Sequence, residues 1–213
     1  MGQLAAGRAP FIVFEGIDGS GKSTQVKRLR NRLRDREIEH YVTEEPTDSP
    51  IGGLIRQIMT GRVKTDNRVI AMLFAADRLD HILNEKNGLL EKLNRGTLVI
   101  SDRYYLSSYA YHAVDMPMEW VVEANAPSRE LLQPDIHLFI DTDLEEVLHR
   151  IARRSGQQEL FEKESRLRRV RQKYLDAIAM LDGQENVVIL DGNRPAEVIE
   201  QEVWEYVGPL LAE

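Results

Sequence analysis

Cysteine is absent from this chain of 213 residues. Disulfide bonds and thiolate metal sites are therefore excluded, so any bound metal must be held by oxygen or imidazole ligands. Long apolar runs are also missing, because none approaches the roughly 20 residues that a membrane-spanning helix requires. We expect a cytoplasmic protein without membrane contact, in which residues 1–10 form a flexible N-terminal segment unlike a secretory signal.

Positive charge is in the minority, with 28 lysines and arginines against 35 aspartates and glutamates and a net charge of −7. An acidic balance of this kind argues against nucleic acid as a partner, because it offers no broad surface for the phosphate backbone. The chain length suits one sizeable core. We therefore predict a single domain over residues 11–213.

A glycine-rich stretch, G-I-D-G-S-G-K-S-T, follows the apolar residues 11–14 and precedes a helical pattern. Its glycines let successive N–H groups turn inward into an anion-sized nest, to which the start of the helix adds its positive end. Lys22 would reach the β- and γ-phosphates of a nucleotide, and Ser23 would hold Mg²⁺. The pattern predicts a phosphate-binding loop for a nucleoside triphosphate made of Gly16, Ile17, Asp18, Gly19, Ser20, Gly21, Lys22, Ser23 and Thr24.

Short apolar runs end in polar residues at five places: 11–15, 40–43, 97–102, 135–141 and 187–191. Each is followed by a helical pattern, and their continuous Val, Ile, Leu and Phe are typical of strands buried on both faces. We predict a three-layer α/β/α fold around a parallel sheet, whose ligands bind beyond the carboxyl ends of the strands. Longer helices are predicted at 68–86, 143–154, 161–181 and from residue 195 onward.

Asp102 and Arg103 follow the run 97–102. A carboxylate at this strand end can hold Mg²⁺ or its waters, and a guanidinium can clamp a second phosphate bidentately. The alternative is a surface ion pair.

Phe74 and Arg78 lie four residues apart on the helix predicted at 68–86, so they share one face. The ring could stack on a nucleobase while the guanidinium reaches its edge. Packing of Phe74 in the core is the alternative, because an aromatic residue on an amphipathic helix more often belongs to the core.

Arg153 and Arg154 precede a break at Ser155-Gly156 between two helical patterns. A lid over about residues 153–164 could carry these cations to the transferring phosphoryl group. A solvated helix face is the alternative reading of this basic run.

Taken together, the motifs resemble those of the thymidylate kinases. They are F-E-G-I-D-G-S-G-K-S-T at 14–24, E-P-T-D-S-P-I-G at 45–52, F-A-A-D-R at 74–78, S-D-R-Y at 101–104 and S-S-Y-A-Y at 107–111. The resemblance implies a P-loop NTPase fold with a five-stranded parallel sheet, a homodimer, and transfer of a phosphoryl group from ATP with Mg²⁺ to dTMP.

The same resemblance implies roles for individual residues. Phe74 would stack on thymine, Arg78 would bind its carbonyl edge, and Ser108 would contact the base. Tyr111 would crowd the sugar 2′ position, and Asp18 would approach the 3′-OH. The remaining implied site residues act on phosphates and metal: Lys22, Ser23, Arg56, Asp102, Arg103, Arg153 and Arg154.

Other functions remain open at this stage. A kinase of the same fold could act on a different nucleoside monophosphate or on a deoxynucleoside. A nucleotide-dependent switch is a further alternative, although the N-K-x-D motif that a GTPase should carry is missing from the sequence.

Overall fold

A computed structural model describes residues 7–155 and 160–211, with side chains described outside 154–163. Its sheet has five parallel strands in the order β2-β3-β1-β4-β5. The strands are β1 Phe11–Glu15, β2 His40–Glu44, β3 Leu98–Asp102, β4 Ile136–Asp141 and β5 Val187–Asp191. The predicted fold class is confirmed, and each strand boundary lies within one residue of its prediction.

The helices are α1 Lys22–Arg34, α2 Pro50–Met59, α3 Asn67–Leu83, α4 Leu89–Asn94, α5 Tyr105–His112, α6 Met118–Leu131, α7 Leu144–Ser155, α8 Leu160–Met180 and α9 Ala196–Val207, followed by a 3₁₀ turn at Gly208–Leu211. Within the described parts of the chain, no helix combines the length and apolarity needed to cross a membrane.

Helices cover the sheet on both faces because successive side chains of β1 point to opposite sides. Ile12 and Phe14 pack with side chains of α1 and α9 on one face. Phe11 and Val13 pack on the other face with side chains of α5 and α8. All four β1 side chains are fully buried, which is why this strand reads as a continuous apolar run.

Helix α3 ends three residues earlier than the sequence predicts. The Asn84 side chain accepts a hydrogen bond from the Lys86 N–H over 3.1 Å. This local turn replaces the next helical hydrogen bond, as asparagine side chains commonly do. The prediction that the helix continues to residue 86 is therefore wrong.

Part of the N-terminal segment is held against the sheet. Arg8 pairs with Asp135 at 2.8 Å, and the Ala9 N–H donates to the Leu93 carbonyl over 2.9 Å. Residues 8 and 9 of the segment predicted to be flexible thus contact the rest of the chain, residues 1–6 lie outside the described chain, and the flexibility of residues 1–10 stays a prediction. The lid predicted over about residues 153–164 overlaps the end of α7 and the start of α8, and its residues 156–159 are likewise outside the described chain.

The carboxyl ends of β1, β3 and β4 meet at one edge of the sheet. Phe14 is in register with Asp102 on one side of β1, and Glu15 is in register with Phe139 on the other. The connection after β1 leads to β2 on one side, and the connection after β4 leads to β5 on the other, which opens a crevice at this edge where ligands of such sheets bind.

Candidate active site

The loop after β1 turns through three glycines with left-handed backbone, at φ 146° for Gly16, 86° for Gly19 and 106° for Gly21. A Cβ at Gly16 would lie 2.7 Å from the Ser20 Oγ and 2.8 Å from the Ile140 carbonyl oxygen, so only glycine fits there. Gly21 precedes α1 and no side chain caps this helix start. The loop therefore leaves backbone N–H groups directed at an anion.

Lys22 is buried beside this loop, where its ammonium donates a hydrogen bond to the Ile17 carbonyl over 3.0 Å. Burial lowers the pKa of Lys22 to about 8, and repulsion by Arg103 adds to this effect. A bound polyphosphate would supply the negative charge that such a lysine needs.

Ser23 and Asp102 lie side by side at the mouth of the loop. The Ser23 hydroxyl donates to the Asp102 Oδ2 over 2.8 Å, while the buried Asp102 Oδ1 has no hydrogen-bond partner among the described residues. One carboxylate and one hydroxyl suit Mg²⁺, because this ion keeps several waters and phosphate oxygens in its shell. These two residues therefore fit the predicted metal site.

Asp18 of the loop pairs with Arg103 after β3, with 2.5 Å between Oδ1 and Nη2. Burial opposes ionisation of Asp18, but the charges of Arg103 and Lys22 lower its pKa below the ordinary value. The Tyr111 hydroxyl accepts hydrogen bonds from both residues, over 3.1 Å from the Asp18 N–H and 3.2 Å from Arg103. The three predicted residues thus form one cluster.

A buried network of hydrogen bonds holds the Arg103 guanidinium in place. Its Nη1 donates to the Ser107 hydroxyl over 3.0 Å and to the Tyr174 hydroxyl over 3.3 Å. Both hydroxyls donate in turn to Glu15, over 2.6 Å and 3.0 Å. Arg103 itself has a left-handed backbone with φ 78°, which is costly for a residue with a Cβ and indicates that the surroundings impose this direction.

The larger of two adjoining cavities has a volume of about 680 Å³. Its wall includes the predicted residues Asp18, Gly19, Gly21, Lys22, Ser23, Thr24, Asp102, Arg103 and Tyr111. Gly16, Ile17 and Ser20 shape the loop without lining this cavity. We call the larger cavity the donor cavity, because residues of the phosphate loop line it.

The second cavity, of about 220 Å³, shares Asp18, Arg103 and Tyr111 with the first. Its wall also includes Phe74, Arg78, Ser108 and His112. We call it the acceptor cavity. Burial lowers the pKa of His112 to about 4, so its imidazole is uncharged at neutral pH, and its ring lies 5.2 Å from that of Phe74.

Arg78 is almost completely buried in the wall of the acceptor cavity. Its Nε and Nη2 pair with Glu45 at 2.8 Å and 2.7 Å. Its Nη1 donates to the Ser108 hydroxyl over 3.1 Å and to the side-chain amide oxygen Oδ1 of Asn125. The guanidinium is therefore held rigidly before any ligand arrives.

Two predicted arginines lie outside this cluster, and the side chain of a third is not described. Arg56 donates to the carbonyls of Pro46 and Thr47 over 3.0 Å and 2.6 Å, and lines neither cavity. The two carbonyls engage its Nη1, and its Nη2 lies 3.2 Å from an Asp48 carboxylate oxygen, so its contact with the acceptor phosphate stays a prediction. Arg153 is exposed on α7 and also lines neither cavity. The side chain of Arg154 lies outside the described residues.

Arg150 contacts the phosphate loop instead. It donates to the Ser20 carbonyl over 3.1 Å and to the Gly192 carbonyl over 3.0 Å. The sequence places it in the same basic run as Arg153, but the prediction favoured arginines at the helix break. Arg150 lies one helical turn before Arg153 and Arg154, and this spacing was the signal in the sequence that could have identified it as a site residue.

Other supporting residues carry weaker sequence signals. Glu15 is a carboxylate at the end of an apolar strand, which marks it as a site candidate. Tyr174 lies four residues from Val170 on α8 and so resembles a core position. Asn125 has no signal, because only the folded chain brings α6 against α3.

Comparison with known sequences identifies the family. A sequence model of the family described as "Thymidylate kinase" matches residues 14–203. A "Probable thymidylate kinase" of Thermococcus kodakarensis is 37% identical over 95% of this chain and 99% of its own length. Proteins of the same name from Methanocaldococcus jannaschii and Pyrococcus horikoshii are 35% and 39% identical, covering 92% and 81% of this chain and 95% and 84% of their own lengths.

These matches span the phosphate loop, both cavities and most of the sheet. They confirm the resemblance drawn from the motifs, and with it the prediction that the protein is a kinase. The chain belongs to the thymidylate kinase family.

Proposed function

We propose that the two joined cavities transfer the γ-phosphoryl group of ATP to dTMP and release dTDP. Membership of the thymidylate kinase family supports the reaction. The observation that carries the site assignment is the sharing of Asp18, Arg103 and Tyr111 by both cavities, because a transferred group must pass between its two substrates. The cytoplasmic location remains a prediction.

On the donor side, the backbone of residues 16–24 and the ammonium of Lys22 bind the ATP phosphates. Ser23 and Asp102 would hold Mg²⁺, which would supply neutralisation of the phosphate charge. This assignment is supported by the Asp102 Oδ1, which the described part of the chain leaves without a hydrogen-bond partner, and by the 2.8 Å contact between the two side chains.

On the acceptor side, Arg103 binds the dTMP phosphate through its forked guanidinium. Asp18 contacts the sugar 3′-OH, and Tyr111 leaves no room for a 2′-hydroxyl. Phe74 stacks on thymine, while Arg78 and Ser108 face its polar edge. Support comes from the clustering of these side chains around one cavity of about 220 Å³.

The reaction needs no general base from the protein. The attacking oxygen belongs to a phosphate whose second pKa is about 6, so it is already an anion at neutral pH. Catalysis therefore rests on alignment and on neutralising the charge between the two phosphates. Lys22 and Arg103 perform this task from opposite sides, and Arg153 and Arg154 are assigned to a lid that closes over the γ-phosphoryl group.

A homodimer is part of the proposal. Helix α3 exposes an apolar stripe, which we define as Val69, Met72, Ala76 and Leu83, on one side of the helix. Val69, Met72 and Leu83 are each about half exposed, at 46%, 50% and 52%. A contiguous apolar helix face of this kind supports a second copy of the chain as its cover.

A panel of acceptors tests the function. The purified protein is mixed with ATP and dTMP, dUMP, UMP, CMP, AMP or thymidine, each with Mg²⁺ and with EDTA, and product formation is followed. We expect the highest kcat/KM with dTMP and loss of activity in EDTA. Preference for another monophosphate, or for thymidine, would overturn the assignment of the acceptor.

A further inference from the structure

A buried chain of hydrogen bonds runs from β2 to the arginine of the acceptor cavity. The Thr43 Oγ1 lies 2.8 Å from the His81 Nε2, and the His81 Nδ1 lies 3.1 Å from the Glu45 Oε1. The other carboxylate oxygen of Glu45 pairs with Arg78. His81 thus contacts Glu45, which lines both cavities, and through it is linked to Arg78 in the wall of the acceptor cavity.

Burial of this chain of hydrogen bonds requires that each of its polar atoms has a partner. The side chains of Arg78, Glu45 and His81 are exposed by only 1%, 2% and 6%. A buried ion pair is stable only when its remaining polar atoms are also satisfied. Because Arg78 occupies one oxygen of Glu45, the other oxygen depends on His81.

The partners fix which imidazole nitrogen carries hydrogen. An ionised carboxylate can only accept, so the His81 Nδ1 must donate to Glu45. In the neutral imidazole, Nε2 then accepts the hydroxyl hydrogen of Thr43. This arrangement satisfies both ring nitrogens and sets the angle at which the ring meets the carboxylate.

We propose that His81 is a positioning residue for base recognition. It orients Glu45, and Glu45 orients the Arg78 guanidinium in the wall of the acceptor cavity. The inference rests on the proposed contact between Arg78 and thymine. His81 lines neither the donor nor the acceptor cavity but a third one of about 600 Å³, so its contact with the acceptor site runs through Glu45.

The amide of asparagine can stand in for the Nδ1 donor of histidine, whereas the amide of glutamine extends to the Nε2 position. We therefore compare His81→Leu, His81→Asn and His81→Gln with His149→Leu, which changes an exposed histidine on α7. The kcat and the KM values for dTMP and ATP are measured, and thermal unfolding is recorded for each variant.

We expect His81→Leu and His81→Gln to raise the KM for dTMP by about tenfold. Coupling energies between two residues in contact, here His81 and Glu45, are typically of this size. The KM for ATP should stay near the wild-type value, and His81→Asn should recover most of the loss. His149→Leu should match the wild type. If His81→Leu does not fold, the comparison of the asparagine and glutamine variants decides the question.

Equal KM values for dTMP in the asparagine and glutamine variants would overturn the positioning role, as would a parallel rise in the KM for ATP. Failure of the proposed function is a separate result. In that case the wild type would prefer another acceptor, and the same variants would be compared with that acceptor.

Discussion

Asp18 and Arg103 join the two halves of the site through a contact of 2.5 Å between carboxylate and guanidinium. Asp18 belongs to the phosphate loop, and Arg103 follows the neighbouring strand β3. Each side chain lines both the donor and the acceptor cavity. In the proposed function, the loop that binds one nucleotide holds the arginine that meets the other, an arrangement that would fix the relative position of the two phosphates.

Replacing Arg103 tests the acceptor side. We expect Arg103→Ala to lower kcat/KM for dTMP by about 10² to 10³, because a forked cation is lost where negative charge develops. Thermal unfolding serves as the check on folding. Arg95→Ala is the matched control, since Arg95 is exposed and pairs only with Glu91 on the surface. Wild-type kinetics in Arg103→Ala would exclude the proposed role.

The pKa of Lys22 predicts how ATP binding depends on pH. Burial lowers this pKa to about 8 in the free protein, so the lysine loses its charge as the pH rises above that value. Because the phosphates bind the charged form, the Kd for ATP should rise by about tenfold per pH unit above pH 8. Calorimetric titrations between about pH 7 and 9.5 measure this slope.

The Lys22→Arg variant is the control for this titration, because a guanidinium keeps its charge over the whole range. Its Kd should be independent of pH whatever its absolute value. A wild-type Kd that stays constant above pH 8 would show that the charge of Lys22 does not contribute to binding.

We expect Glu185 to make a contribution to stability that is lost in acid. This residue lines neither cavity of the site. Burial opposes its ionisation, but hydrogen bonds from His137, Tyr105 and Arg129 lower its pKa to about 2. Since the folded pKa lies below the ordinary value of 4.5, the contribution is complete above pH 4.5 and is lost as the pH falls towards 2.

We expect Glu185→Gln to lower the free energy of unfolding by about 3 kcal/mol at pH 7. At about pH 3.5 the difference from wild type should shrink by about 1.4 kcal/mol, since the unfolded chain then binds a proton that the folded chain does not. Urea unfolding measures both values, with the exposed Glu123→Gln as control. A difference that is the same at both pH values would contradict the assignment.

The α3 stripe predicts the effect of a charge on assembly. We expect the wild type to sediment as a dimer and Met72→Lys as a monomer, because an ammonium would be buried at the interface. Ile189→Lys is the control, since Ile189 on β5 is equally exposed at 51% but lies outside the stripe. A monomeric wild type, or a dimeric Met72→Lys variant, would refute the interface.

The sequence predicts the sheet and the phosphate loop well because both depend on local patterns. Buried parallel strands are continuous apolar runs, and the loop needs glycines at fixed spacing. Helix α5 is not predicted from the sequence. Its residues Tyr105 to Ala110 are all buried, so the helix has no alternation of apolar and polar faces to recognise. Helix α2 contains Gly52 and Gly53, which weaken its intrinsic helical preference.

The residues that hold the site residues in place are harder to predict. Tyr174 reaches Arg103 across 71 positions of sequence, and Asn125 reaches Arg78 across 47. No local sequence spacing indicates either pair, because the two residues meet only when the helices pack on the folded sheet. The sequence therefore indicates which side chains face the ligands more readily than which side chains orient them.

Transfer of labelled phosphate from ATP to dTMP in the wild type and in Lys22→Ala tests the central claim most directly. With Mg²⁺ present, we expect labelled dTDP from the wild type and a rate about 10³ lower from the folded Lys22→Ala variant. Lys173→Ala, which removes a surface pair with Asp176, should match the wild type. Formation of dTDP by Lys22→Ala at the wild-type rate would contradict the account.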